Sequence, residues 1–135
     1  MSAPGGASEA ESRCVLDASA LLAYLHDEDG GARVRGELAH ALMSSVNWSE
    51  VVQKALAYNT NVTGLRQDLE ALGLQIVDFD ARQAEAAAEL WTLTRSAGLS
   101  LADRACLALA RARKLPALTS DKVWTRVSPN VQMIR

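Results

Sequence analysis

Residues that bind soft metals or form disulfides are scarce in this sequence. Its 135 residues hold two cysteines and two histidines, and none has a second Cys or His at ligand spacing. That argues against a thiolate or imidazole metal site and against a disulfide framework. Cys14 opens an apolar run and Cys106 falls within an apolar helical pattern, so both read as buried thiols of a reducing, cytoplasmic setting. His26 and His40 stand alone and read as surface or interface side chains. No apolar run approaches the ~18 residues of a membrane span, so no membrane association is expected. Residues 1–12, MSAPGGASEAES, lack the apolar core of a signal peptide and read as a flexible N-terminus. The three prolines mark no linker, so residues 13–135 are expected to form one domain around a single core.

Hydrophobic residues make up 49% of the chain and charged residues 22%, an ordinary balance for a globular protein. Short apolar runs alternate with helical patterns. The first strand is expected at Arg13–Leu16, then a helix over Ala18–His26, a break at Asp27–Gly31 and a helix over Ala32–Ala39. A strand over Leu42–Val46 precedes a helix from Asn47 to Tyr58. A helix over Thr63–Leu72 stops at Gly73, a common C-terminal glycine, and Leu74–Asp78 is a strand. The next helix starts near Asp80 with Ala84, Ala87, Ala88 and Trp91 at helical spacing, and Gly98 ends it. Ser100 caps a nearly all-apolar helix to Lys114. Pro116–Thr119 is a strand, Asp121–Val127 a short helix and Val131–Ile134 a last strand. Strands separated by helices imply a mainly parallel sheet with helices on both faces, an α/β fold of three layers, α/β/α. Strand order is not determined by this pattern.

Charge is uneven along the chain. Residues 1–99 carry seven Lys/Arg against fourteen Asp/Glu (−7), and residues 100–135 carry seven against two (+5). The two acids of that basic segment are Asp103 and Asp121, so a polyanion is a fitting partner there. With Asp17 and Glu50 they make four widely spaced acids, each at or just before an expected helix start. Three of them follow a short apolar run. Taken singly, each has a capping explanation. Asn47-Trp-Ser-Glu50 and Ser100-Leu-Ala-Asp103 fit capping boxes, and Asp17 and Asp121 can cap their own helices. Jointly they suggest more, because a parallel sheet brings its strand ends and following helix starts to one edge, where ligands bind. Four acids gathered there repel one another, and a hard cation such as Mg²⁺ or Mn²⁺ would offset that repulsion.

Other acid-based sites fit less well. Asp-x-Asp, the signature of haloacid-type phosphatases, is absent because Ser19 holds the third position. A receiver domain needs an acidic pair before Asp17, and no P-loop occurs. Metal-assisted hydrolysis of a phosphodiester is the chemistry that remains.

Taken together, the segments around Val15-Leu-Asp17-Ala-Ser-Ala-Leu, Val46-Asn-Trp-Ser-Glu50-Val, Leu99-Ser-Leu-Ala-Asp103-Arg-Ala-Cys and Leu118-Thr-Ser-Asp121-Lys-Val-Trp124 resemble a PIN-domain ribonuclease of the VapC toxin type. The resemblance covers about residues 13–135. It implies a PIN-like fold and an Mg²⁺-dependent endoribonuclease that leaves a 5′-phosphate and a 3′-hydroxyl, with Mn²⁺ as a possible substitute. Asp17 and Asp103 would be the main metal ligands, with Glu50 and Asp121 completing the site directly or through water. Ser19 and Thr119 would steady the carboxylates, and Trp124 would pack in the core. An RNA substrate, a cognate antitoxin and a homodimer are the implied partners. Arg104, Arg111, Lys122 and Arg126 are candidate RNA contacts. An apolar groove for the antitoxin is expected near the first helices, where Leu21, Leu22, Tyr24 and Leu25 exceed what one buried face requires. Two other readings remain open: a housekeeping RNA-processing PIN nuclease without an antitoxin, and a PIN-like binding module that has lost catalysis.

Overall fold

The computed structural model describes residues 12–135, so the expected flexible N-terminus, apart from Ser12, lies outside the described residues. Five short strands form one sheet: β1 (Cys14–Leu16), β2 (Ala41–Ser44), β3 (Gln75–Val77), β4 (Ala117–Thr119) and β5 (Val131–Met133). Their order is β3-β2-β1-β4-β5, and every neighbouring pair is parallel. The helices are α1 (Ala18–Leu25), α2 (Gly31–Glu37), α3 (Ser45–Ala57), α4 (Leu65–Ala71), α5 (Ala81–Glu89), α6 (Trp91–Thr94) and α7 (Leu101–Arg113). Short 3₁₀ turns follow α2 and α6, and a longer one spans Lys122–Arg126.

Alternation along the strands builds two cores, one on each side of the sheet. Cys14, Leu16, Met43 and Leu118 join Leu21, Val34, Val51 and Leu69 on one side. Val15, Leu42 and Ala117 join Leu90, Leu107 and Trp124 on the other. The result is the three-layer α/β/α arrangement expected from the order of elements. Trp124 is fully buried, as its expected packing role requires. From β1 the chain steps outward to β2 and β3, then returns through α5–α7 to place β4 on the other side of β1. The strand order therefore reverses between β1 and β4, the position at which open parallel sheets form a ligand crevice.

Two expectations are corrected. The strand expected at Leu42–Val46 is Ala41–Ser44, because the Ser44 hydroxyl accepts the Val46 N–H at 3.2 Å and starts α3 there. Asn47 is thus inside α3 rather than at its cap, and the Asn47–Glu50 capping box does not form. In the helix after Asp80 only Ala87 of the expected stripe is buried: Ala84, Ala88 and Trp91 are exposed, and the inward face is Ala87 and Leu90, with Ala86 half-buried. Alanines lie on both faces of this segment and do not favour one, so Leu90 and Ala87 packing against the second core decides the orientation. On α1, Tyr24 and Leu25 are only half-buried, and Tyr24 lines an open cleft with Arg35, Leu38, Ala39 and Leu72. Leu21 and Leu22 are buried, and Tyr24 and Leu25 pack against the same core.

Candidate functional site

Asp17 follows β1 directly, at the reversal of strand order, and its backbone N–H is bonded to the Leu118 carbonyl of β4 at 3.2 Å. As the N-cap of α1 its carboxylate accepts the Ala20 N–H at 2.8 Å. The Ser19 hydroxyl reaches both carboxylate oxygens at 2.7 and 2.9 Å, and the Thr119 hydroxyl donates to Oδ2 at 2.6 Å. Both hydroxyls also serve the end of β4: Ser19 accepts the Ser120 N–H and Thr119 the Asp121 N–H, each at 3.0 Å. Ser19 and Thr119 thereby tie the acid after β1 to the chain leaving β4.

Asp17 is only 5% exposed. Burial raises its pKa from 3.8 to about 6; the bonds from Thr119, Ser19 and Ala20 pull it down, and the nearby charge of Asp103 pushes it up. Desolvation outweighs the three donors, so a cation placed beside this carboxylate would favour its ionised form.

The other acids are held differently. Asp103 is half-buried in the first turn of α7, where its side chain accepts the Ser100 N–H at 3.0 Å and Ser100 accepts the Asp103 N–H at 3.1 Å. This is the expected capping box, and it leaves the acid facing the cleft. Asp121 is exposed and caps the last 3₁₀ turn through the Val123 N–H at 3.0 Å. Glu50 stands in the second turn of α3, not the first. Its carboxyl is raised by burial and by Asp103, and lowered by a hydrogen bond from Asn47 and by the charge of Lys54.

Asn47 and Lys54 are the residues that sequence reasoning missed. Asn47 is 1% exposed, and its amide donates to Glu50 Oε1 at 3.3 Å and to the Ala102 carbonyl of α7 at 3.0 Å. It braces one acid against the helix that carries another. The misplaced start of α3 hid it. Lys54 lies four residues after Glu50, a spacing that puts both on one helix face and was legible in principle.

All four acids, with Ala18, Ser19, Leu22 and Lys54, line one cleft of about 190 Å³. Among the described residues they form no closed group of three metal-ligating side chains. The donors are carboxylate oxygens without His or Cys, a set that suits a hard divalent cation. The N-termini of α1 and α7 also lie at this cleft, and their dipoles favour an anion. Beneath it, the buried Cys106 thiol is pushed well above its usual pKa by burial and by the acids above, so it stays protonated.

The basic candidates are scattered. Arg104 is half-buried and donates to the Ala87 carbonyl at 2.8 Å, so its guanidinium joins α7 to α5. Arg111 lies eight residues, about 12 Å, further along α7 than Asp103. Lys122 and Arg126 are exposed on the turn beyond Asp121. No helix among the described residues is long and apolar enough to cross a membrane.

Residues 14–129 match the PIN domain family. No curated protein matches the sequence. Several solved structures share its fold. A toxin–antitoxin complex from Klebsiella pneumoniae has a TM-score of 0.73 at 20% identity, over 90% of this chain and 98% of that one. DNA-bound VapBC from Salmonella typhimurium gives 0.69 at 16% identity, over 92% and 99%. FitAcB from Neisseria gonorrhoeae gives 0.64 at 20% identity, over 90% and 96%.

Proposed function

This chain belongs to the PIN domain family, and from that premise we propose that it is a divalent-cation-dependent endoribonuclease and the toxin of a toxin–antitoxin pair. The observation that carries the reading is the meeting of Asp17, Glu50, Asp103 and Asp121 in one cleft where the strand order reverses. In this reading Asp17 and Asp103 would hold the cation, Mg²⁺ or Mn²⁺, with Glu50 and Asp121 completing the site directly or through water. When bound, the cation supplies an acidified water and offsets charge on the phosphodiester.

The chain's own part is orientation. Ser19, Thr119 and the Ala20 N–H fix the Asp17 carboxylate, Asn47 fixes Glu50, and Ser100 fixes Asp103. These acids start from rigid strand ends and helix turns, so little ordering is left for the moment of reaction. The α1 and α7 N-termini add a field that favours the phosphate against the repulsion of the acids.

An antitoxin partner is supported by the toxin–antitoxin complexes among the structures that share the fold. The homodimer is proposed from the resemblance to the VapC type alone.

Asp103→Asn tests the core of the proposal, since the two roles of Asp103 forecast different outcomes. A capping role alone predicts a stability loss of about 1 kcal/mol or less and unchanged cleavage. Metal ligation predicts a folded protein whose Mg²⁺-dependent cleavage of total RNA falls by orders of magnitude. Circular dichroism confirms folding, and wild-type cleavage by the folded variant would overturn the assignment. Co-expression with the product of an adjacent small reading frame tests the toxin role; the expected result is a co-purifying complex with suppressed nuclease activity.

A further inference from the structure

Four carboxylates and one ammonium line the cleft, a formal charge of −3. A single divalent cation would bring it to −1, still repulsive to a phosphodiester. Lys54 is the one cationic side chain lining this cleft among the described residues. Its position follows from α3: one turn beyond Glu50 it shares that residue's face, and Val51 and Ala55, both buried, fix which way the face turns. The side chain is exposed and makes no ion pair among the described residues, although its charge is close enough to act on Glu50. Its ammonium is therefore not committed to a structural partner. In the basic segment Arg104 is bonded to Ala87 and Arg111 stands well along α7 from the acids, while Lys122 and Arg126, exposed on the turn beyond Asp121, are not among the residues that line the cleft.

We propose that Lys54 is a substrate-contacting residue, its ammonium meeting a backbone phosphate of the single-stranded RNA that enters the acidic cleft. This inference rests on the ribonuclease reading above. A flexible four-carbon stem with a compact charge suits such a contact, since a moving phosphate can be followed without a fixed fork geometry. Lys54 would thus act mainly on substrate binding, and the acids on the chemical step.

The test uses full-length protein carrying Asp103→Asn, which holds the RNA uncleaved, in Mg²⁺ buffer with a short fluorescein-labelled single-stranded RNA. Anisotropy titrations across a salt series give the dissociation constant and its salt slope. Adding Lys54→Met should weaken binding about fivefold at 0.1 M salt and lower the slope by about 0.7, the value for one phosphate contact on a single strand. Lys54→Arg should restore both. In the otherwise wild-type enzyme, Lys54→Met should raise KM more than it lowers kcat. An unchanged dissociation constant and slope would overturn the inference while leaving the nuclease reading intact. A changed Mg²⁺ requirement with an unchanged slope would also overturn it, since Lys54 would then act through Glu50. Continued cleavage in the Asp103→Asn parent, or no RNA binding by it, would instead count against the functional reading itself.

Discussion

Replacing Asp17 by Asn should stabilise the metal-free protein at neutral pH and destabilise it slightly in acid. Burial holds the folded-state pKa at about 6 against a usual 3.8, which corresponds to about 3 kcal/mol. Because the folded pKa is the higher one, the folded state binds the proton more tightly than the unfolded chain. The resulting stability is complete below about pH 3.8 and is lost as pH rises through 6. At pH 7.5 the ionised Asp17 therefore costs about 3 kcal/mol relative to a neutral group. Asparagine removes that cost and remains a good N-cap for α1. It also turns an NH₂ toward the Thr119 hydroxyl, whose oxygen already accepts the Asp121 N–H, so about 1 kcal/mol of hydrogen bonding is lost. The net gain is about 2 kcal/mol at pH 7.5, a rise in Tm of roughly 8 °C for a chain of this size. Near pH 4 the carboxyl is mostly protonated in the folded state, and the variant should melt at or slightly below the wild type. Differential scanning fluorimetry in EDTA from pH 4 to 7.5 measures this, since other titrating groups largely cancel in the difference. Millimolar Mg²⁺ at pH 7.5 should raise the wild-type Tm by linkage and move the variant much less. A Tm difference that stays flat across this pH range would refute the reasoning, because Asp17 would then carry no unpaired buried charge.

Two further substitutions test how the structure supports the site. Thr119→Val keeps the shape but removes the donor to Asp17 and the acceptor of the Asp121 N–H; urea unfolding should show a loss of about 2–3 kcal/mol, and a loss under about 0.5 would mean the hydroxyl is not holding the acid. Gly73→Ala should cost about 2 kcal/mol or more, because Gly73 has φ +111° and an added Cβ would lie 2.5 Å from Ala39 Cα. Gly64→Ala, with φ +78° but open space around it, should cost about 1 kcal/mol; equal losses at the two sites would mean the Ala39 contact relaxes freely.

Local chemistry made much of this protein legible from its sequence. The apolar runs before Asp17 and Asp121, the Ser100–Asp103 box and the glycine ending α4 each depend on residues a few positions apart. So do the alternation of strands with helices and, through the general geometry of parallel sheets, the expectation that the four acids meet. Tertiary structure decided what neighbours in sequence could not. Ser44 and Asn47 are both good caps, and only the pairing of β2 with β3 as far as Ser44↔Val77 placed the start of α3 so that Asn47 became a buried brace for Glu50. Alanines surround α5, so packing at Ala87 and Leu90 turned Trp91 outward. The basic run of the C-terminal segment looked like one surface, yet Arg104 was drawn to the Ala87 carbonyl while Lys54, from an acidic half of the chain, stands among the acids. A side chain's type is a local property, but the partner it meets is set by the crossing of elements far apart in sequence. Strand order β3-β2-β1-β4-β5 brought β4 beside β1, and with it Thr119 to Asp17.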